Sequence, residues 1–367
     1  MLAPYFAHIS APVLAVDLGI FTMRALLYVP GKGPQEQYGF LLPSPECTLN
    51  ERIHNCTVNR RPLYMIGVCM GLTPIAALRT HLAAGLEVAM HPDTAAAMTD
   101  TPGKIEALGI KVQRKIPANA SHVQAMDFDS YFWNTLCDMA ELPRPEITLV
   151  SAADYGHPLD YDTERGRSEL LTNFFQGWTE PRDLTVRLMP GPAYRKNLLR
   201  LSAIEAHTGV PSVDFATAFL FGMLALPEID KLSRQRTVLL LHVGERFMEA
   251  FIVYDNKLYA FLELPYRGLF SDSGLESHDG DLLLQLLHEY YAGSLSADKI
   301  TQMGGCLWRA NQAPPGGPEI CPIFASGAQA FIMERWSRII GMQLDSVIIN
   351  CWGLLNVYNR YLSHGQS

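Results

Sequence analysis

Three residues in the stretch LAVDLGIFT, residues 14–22, have the chemistry to hold a phosphate chain and its metal ion. Gly19 would let backbone N–H groups come close to phosphate oxygens, because a glycine has no Cβ in the way. The Thr22 hydroxyl could donate to a phosphate oxygen, and the Asp17 carboxylate could hold Mg²⁺ through water, since Mg²⁺ keeps most of its hydration shell. An ordinary tight turn between two strands is the alternative, and this stretch alone leaves both interpretations open.

A hairpin of the same pattern recurs 225 residues further along the chain. The two copies are LAVDLGIFTMRALLYVPGK, from residue 14, and LLHVGERFMEAFIVYDNK, from residue 240. In each copy an apolar strand reaches a polar residue and a glycine, and a second strand then runs to a turn that ends in lysine. His242 and Gly244 in the second copy correspond to Asp17 and Gly19 in the first. We predict an internal duplication of one α/β unit, with the two glycine turns facing a common cleft.

The elements around these hairpins follow an α/β pattern, in which short apolar strands end at glycine or a polar residue and lead into helices. The stretches that carry this pattern are TPIAALRTHLAAG (a helix starting at Thr73 and Pro74), LEVAMHP (a strand), EITLVSAAD (a strand ending at Asp154), VPSVDFATAFLFGML (a strand, a turn and a helix), DGDLLLQLLHEYYAG (a helix) and CPIFASGAQAFIMERW (a strand, a turn and a helix). Residues 343–363 are predicted to form a closing helix. Residues 155–182, rich in Asp, Gly, Pro and Arg, are predicted to be a surface insertion rather than core.

The composition is that of a soluble globular protein large enough for two lobes. The chain has 367 residues, of which 48% are hydrophobic and 18% charged, and this size suggests two domains or one large two-lobed unit. A formal charge of −8 and a pI near 5.8 argue against nucleic acid as a partner. No segment has the roughly 18 uncharged apolar residues of a membrane span, and no signal peptide is expected.

The seven cysteines have no metal-ligand spacing. They stand far apart in the chain and include no C-x-x-C pair, so reduced, mostly buried thiols in a cytoplasmic protein are expected. The oligomeric state is not predicted.

These features resemble the actin, sugar-kinase and acetate-kinase superfamily of ATPases and phosphotransferases. Within that superfamily, roughly residues 12 to 310 resemble a prokaryotic family often labelled pyruvate formate-lyase activating enzyme-like. The closest stretches are GVCMGLTPIAALRTHLAAGLEVAMHPDTAAAMTD (67–100), VSAADYGHP (150–158) and VDFATAFLFGML (213–224). The label implies radical chemistry, but the sequence has no C-x-x-x-C-x-x-C motif for the iron–sulfur cluster that such chemistry needs. Radical chemistry is therefore not expected.

The resemblance implies an α/β, two-lobed, duplicated actin-like (ribonuclease H-like) ATPase fold with a central cleft. Residues 1–205 would form the N-terminal lobe, with the first phosphate-type hairpin and the insertion. Residues 206–367 would form the C-terminal lobe, with a second phosphate-type loop in VDFATAFLFG and an adenosine-type turn in IFASGAQAF.

The resemblance also implies a role for each candidate site residue. Asp17 would hold Mg²⁺, Asp214 would orient an attacking water or hydroxyl, and Asp154 is a third acidic candidate, although a solvated loop is the simpler explanation for its surroundings. The residues implied in nucleotide binding are Gly19, Thr22, Thr217, His242, Gly244 and Gly327.

The sequence departs from the superfamily pattern within its turns. Ile20 and Phe21 are bulky where small residues are expected, Glu245 adds a negative charge near the second turn, and the turn at Gly327 lacks a second glycine. Because a fold can outlast its chemistry, two functions stay open. The first is an ATP-binding, Mg²⁺-dependent phosphotransferase or ATPase-like protein with an unidentified acceptor. The second is a non-catalytic descendant of the same fold that binds a partner protein or a small ligand in the cleft.

Overall fold

The structure is a computed structural model, which describes eleven segments of the chain. These are residues 6–19, 21–67, 74–99, 103–154, 163–184, 198–209, 212–244, 247–265, 279–316, 321–339 and 348–364. Within these segments, each helix is too short or too polar to cross a lipid bilayer.

The first sheet contains the first of the two similar hairpins. Its strands are β1 (Val13–Leu18), β2 (Thr22–Tyr28), β3 (Tyr38–Pro43), β8 (Ile147–Ala152) and β10 (Val213–Asp214). Their spatial order is β3-β2-β1-β8-β10. Strand β1 pairs antiparallel with β2 and parallel with β8, and β8 pairs parallel with β10. The predicted strands of LAVDLGIFTMRALLYV and EITLVSAAD are confirmed.

The second sheet contains the second hairpin and repeats this topology. Its strands are β9 (Arg182–Asp183), β11 (Val238–Val243), β12 (Phe247–Tyr254), β13 (Lys257–Pro265), β14 (Cys306–Arg309), β15 (Ile323–Ser326) and β16 (Arg338–Ile339). The order is β14-β13-β12-β11-β15-β16, with β9 paired to β13. The path β13-β12-β11-β15-β16 matches β3-β2-β1-β8-β10, with the same antiparallel and parallel pairings around the central strand. The predicted duplication of one α/β unit is therefore confirmed.

A third, parallel sheet lies within the first half of the chain. It contains β4 (Leu63–Ile66), β5 (Val88–Met90), β6 (Lys111–Val112) and β7 (Ser121–Gln124), in the order β6-β5-β4-β7. The strand predicted in LEVAMHP is β5.

The helices cover the sheets as an α/β fold requires. They are α1 (Pro45–Val58), α2 (Pro74–Ala83), α3 (Pro92–Met98), α4 (Gly103–Ala107), α5 (Ser130–Met139), α6 (Thr163–Phe175), α7 (Leu199–Thr208), α8 (Phe215–Ala225), α9 (Pro227–Gln235), α10 (Asp279–Ala292), α11 (Ala297–Gln302) and α12 (Ile349–His364). The predicted helices at α2, α8, α10 and α12 are confirmed, whereas the helix predicted in CPIFASGAQAFIMERW is only a 3₁₀ turn, Ala330–Met333. The predicted N-cap Thr73 lies outside the described residues.

The largest apolar core lies between the inner faces of the two main sheets. Side chains alternate between the two faces of a strand, and Ala15 of β1 and Leu240 of β11 both join this core around α8 and α12. The next inner-facing positions along these strands are Asp17 and His242. The alternation therefore places both polar residues on the side where the two halves meet.

Helices α8 and α12 cross closely inside that core. Gly222 of α8 and Gly353 of α12 stand at the crossing, and a Cβ at Gly353 would overlap the carbonyl oxygen of Ala218. Glycine is needed at this position because the two helix backbones are in direct contact.

The prediction of a surface insertion at 155–182 is wrong for its helical part. Arg167, Ser168 and Phe175 of α6 are buried, and the Phe175 ring stacks on Trp308 with a centroid distance of 5.2 Å. The polar composition of the segment concealed an apolar stripe at helical spacing, which packs on the second sheet.

Candidate functional site

The first bend, between β1 and β2, is closed by a short backbone hydrogen bond. The Gly19 N–H donates to the Thr22 carbonyl over 3.0 Å, and a Cβ at Gly19 would lie 2.7 Å from that oxygen. Any other residue at position 19 would therefore strain the bend, which explains the glycine.

Asp17, at the end of β1, is buried and engaged on both oxygens. The Ser151 hydroxyl donates to Asp17 Oδ1 over 2.7 Å, and Arg24 Nη1 lies 3.4 Å from Oδ2. Both partners stand directly opposite Asp17, on β8 and β2. The Asp17 side chain is 1% exposed and that of Arg24 is 21% exposed, so Arg24 is the member of this pair that is partly open to solvent.

The chemistry of this first bend fits a phosphate and a hydrated cation. Arg24 offers donors in the forked geometry that suits phosphate oxygens, and Asp17 offers the carboxylate. The Thr22 hydroxyl oxygen is inaccessible to solvent and has no hydrogen-bond partner within the described part of the chain. Phe21 is 49% exposed, and Ile20 lies outside the described residues.

The second bend, between β11 and β12, repeats the geometry of the first. The Gly244 N–H donates to the Phe247 carbonyl over 3.0 Å, which corresponds to the bond between Gly19 and Thr22. His242 stands opposite Glu249, with 3.1 Å between Nδ1 and Oε2. Glu245 and Arg246 lie outside the described residues.

The imidazole of His242 is enclosed by aromatic rings and by the adenosine-type turn. Its ring centroid lies 4.9 Å from that of Phe215 and 5.0 Å from that of Phe219, both on α8. Gly327 has a φ of +116°, and a Cβ there would lie 2.5 Å from the Val243 carbonyl oxygen and 3.0 Å from the imidazole. His242, Gly244 and Gly327 thus lie together, in a tightly packed arrangement.

A buried charge cluster lies between the end of β10 and the second sheet. Arg167 of α6 makes two hydrogen bonds to Asp214, of 3.0 and 3.3 Å. The same guanidinium donates to Glu263 over 2.8 Å and to Glu249 over 3.4 Å. Arg167, Glu249 and Glu263 are each no more than 2% exposed.

Burial and mutual contact shift the pKa values of this cluster. Burial raises the pKa of Glu249 to about 7, although the Arg167 charge opposes the shift. Burial also raises the pKa of Glu263, well above its ordinary value, and the negative charge of Glu249 adds to that rise. Burial alone would lower the pKa of Arg167, but the surrounding carboxylates, Asp214 first, raise it well above its ordinary value.

Asp214 and Asp154 also act as helix caps. Asp214 Oδ1 accepts from the Ala216 N–H at the start of α8 over 3.0 Å, and Asp154 Oδ2 accepts from the Leu201 N–H in the first turn of α7 over 3.0 Å. Thr217 and both aspartates line a mainly apolar cavity of about 50 Å³. This volume is enough for a few water molecules.

The structure brings the predicted residues together in three groups. Asp17, Gly19 and Thr22 form the first bend, His242, Gly244 and Gly327 the second, and Asp154, Asp214 and Thr217 border the cavity. Whether these residues bind nucleotide, and whether Asp17 binds metal, stays a prediction.

The residues that the sequence predictions missed are Arg24, Ser151, Arg167, Glu249 and Glu263. A signal for three of them was present, because a charged residue inside an apolar strand, as in MRALLYV, FMEAFIVY and AFLELP, needs a buried partner.

Residues 70–315, about two thirds of the chain, match the family described as "Putative pyruvate format-lyase activating enzyme (DUF1786)". No curated protein matches the chain.

Several solved structures show a distant likeness. A Ppx/GppA family member from Aquifex aeolicus has 8% identity and a TM-score of 0.30, over 86% of this chain and 66% of that protein. An inorganic polyphosphate/ATP-glucomannokinase from Arthrobacter sp. strain KM has 10% identity and a TM-score of 0.35, over 95% of this chain and 99% of that one. A Bacteroides thetaiotaomicron protein with an actin-like ATPase fold and unknown function has 8% identity and a TM-score of 0.36, over 94% and 98%.

The chain spans slightly less than two thirds of the length of the Ppx/GppA protein. The likeness to these structures is too low to show a function for this chain. Its duplicated fold is shown by the matching strand orders of the two sheets.

Proposed function

We propose that this chain, which belongs to the family that its residues 70–315 match, is an ATP-binding phosphotransferase or ATPase-like protein. Its phosphoryl acceptor is not identified. The single observation that carries the proposal is the first bend, where a glycine turn, a carboxylate and a partly exposed arginine side chain stand at the end of one strand pair.

Each residue of the first bend has a part in the proposed site. The Arg24 guanidinium would bind phosphate oxygens, together with those N–H groups of the bend that do not close it. Asp17 would hold Mg²⁺ through water, and Ser151 and Arg24 keep that carboxylate oriented. When bound, Mg²⁺ neutralises charge on the phosphates.

Asp214 is the acceptor-side residue in this proposal. Its carboxylate could accept a hydrogen bond from an attacking hydroxyl or water, which fixes the direction of attack. The two hydrogen bonds from Arg167 hold the carboxylate in one orientation. Since Asp214 is 14% exposed at its side chain, a bound group could still reach it.

The second bend favours the other candidate function, a non-catalytic descendant that binds a partner protein or small ligand. The rings of Phe215 and Phe219 cover His242, and Gly327 packs against the end of β11. An adenosine bound at this turn would have to displace some of these contacts.

A thermal shift experiment separates the two functions. The melting temperature of the full chain is measured with Mg·ATP, with Mg·ADP, with ATP and a chelator, and with Mg²⁺ alone. Ligand at a hundred times its dissociation constant adds about 2.7 kcal/mol of stability, so we expect a clear rise with Mg·ATP and little with Mg²⁺ alone. No shift with any nucleotide at millimolar concentration would exclude the first function and favour the second.

A further inference from the structure

A row of polar residues crosses the inner face of the second sheet, at the level of the second bend. His242 on β11, Glu249 on β12, Glu263 on β13 and Cys306 on β14 are successive register partners. The residues that lie next to them on one side of the same face are apolar, as Leu240 and Phe251 show. This row of ionisable groups therefore borders the main core.

Two acidic side chains stand opposite each other within this row. Glu249 and Glu263 are direct cross-strand neighbours and are both buried. Such pairs have Cβ atoms about 5 Å apart, and two buried carboxylates at that separation cannot both be ionised without a large cost. A hydrogen bond between the two side chains would require a proton on one of them, because two carboxylates are acceptors only.

Every neighbouring element contributes a charged or titratable group that faces the two glutamates. Arg167 approaches from α6, Asp214 from the start of α8, and His242 from β11. Cys306 on β14 is a thiol at neutral pH, because burial raises its pKa to about 12. Arg167 thus donates hydrogen bonds to three carboxylates, those of Asp214, Glu249 and Glu263.

The cluster also joins the two halves of the molecule. Asp214 ends β10 of the first sheet, while Glu249 and Glu263 belong to the second sheet. Arg167 makes hydrogen bonds to all three. How strongly Arg167 links the two sheets depends on how many of the carboxylates around it are ionised.

We propose that Glu249 and Glu263 form a proton-binding site at which one proton, shared between the two carboxyl groups, lets Arg167 link the two sheets. When that proton leaves, the cluster holds three carboxylates for one guanidinium, and the link between α6 and the second sheet weakens. This inference is independent of nucleotide binding.

The sign of the resulting pH dependence follows from the raised pKa values. In the unfolded chain both glutamates ionise near pH 4.3, whereas in the folded chain the pKa of Glu249 is about 7 and that of Glu263 is raised well above its ordinary value. The stabilising contribution of the protonated pair is therefore complete below the unfolded value. It is lost as pH rises through the folded values, so it decreases from about pH 5 upwards.

The proton can be observed directly by infrared spectroscopy of the full chain at pH 7. The wild-type protein should show absorption of a protonated carboxylic acid that is missing in Glu263→Gln and retained in Glu334→Gln, a control at an exposed position. Glutamine keeps the shape of protonated glutamic acid, so Glu263→Gln should fold. Equal protonated-carboxyl absorption in the wild type and in Glu263→Gln would overturn the proposal.

Hydrogen exchange tests the link between the halves. After correction for the intrinsic pH dependence, protection of the α6 amides should decrease between pH 6 and pH 8 in the wild type and in Glu334→Gln, but not in Glu263→Gln. The melting temperature of Glu263→Gln relative to wild type should also rise with pH. The same loss of α6 protection in all three proteins would show that the glutamate pair does not control the link.

Discussion

His242 occupies in the second sheet the position that Asp17 occupies in the first. Each lies at an inner-facing position of the central strand, and the glycine two residues later closes the bend with its N–H. The partner seven residues later differs in sign, because Asp17 faces Arg24 whereas His242 faces Glu249. The two copies of one hairpin therefore place partners of opposite charge at corresponding positions.

The first prediction concerns Asp17. With Asp17→Asn, the part of the ATP-induced thermal shift that depends on Mg²⁺ should decrease more than the part that persists with a chelator. An amide does not supply the negative charge that attracts a hydrated Mg²⁺, whereas Arg24 still contacts phosphate. Thermal shifts with and without chelator measure both parts.

Asp281→Asn serves as the control for this experiment, because Asp281 is an exposed carboxylate on α10. It should leave both parts of the shift unchanged. Equal decreases of the two parts in Asp17→Asn would mean that Asp17 has a structural role only.

The second prediction separates the capping and ion-pairing roles of Asp214. Asp214→Ala should lower the free energy of unfolding by about 1 kcal/mol more than Asp214→Asn, because asparagine still caps α8 and alanine does not. Both variants lose the carboxylate that faces Arg167, so Asp214→Asn should itself be destabilised by roughly 1–3 kcal/mol. Urea unfolding gives both values.

Asp129 provides a matched cap, because its carboxylate accepts from the Tyr131 and Phe132 N–H groups of α5 and pairs with no arginine among the described residues. Asp129→Asn should be nearly neutral. If Asp214→Asn proved equally neutral, the ion pair with Arg167 would contribute nothing to stability.

The third prediction concerns the crossing of α8 and α12. Alanine normally favours a helix over glycine by about 1 kcal/mol, but Gly353→Ala should destabilise the protein by about 1–3 kcal/mol or more, because its Cβ overlaps the Ala218 carbonyl. Gly103→Ala at the start of α4 has no atom within 4 Å of the new Cβ and should be neutral or stabilising. Opposite signs for the two substitutions in urea unfolding are expected, and a stabilised Gly353→Ala would contradict the close crossing.

Much of the fold could be predicted because its signals are local. The two hairpins are visible in the sequence as alternating apolar strands around a glycine, and the turn at Asp255 and Asn256, both with positive φ, is of the type that joins such strands. The error at α6 arose because 155–182 was judged by its polar composition. A helix is buried by the apolar stripe on one face, and that stripe is compatible with many polar residues on the other.

The sequence by itself determined the duplication, the positions of both glycine bends and the absence of a cysteine motif for a cluster. Only the tertiary structure decided what surrounds the acidic residues. Ser151 reaches Asp17 from 134 positions away, and Arg167 reaches Glu263 across 96. Strand and turn patterns depend on neighbours within a few residues, whereas the partners of a buried charge are set by the packing of whole sheets and helices. The chemistry that these charges allow was therefore decided by the fold.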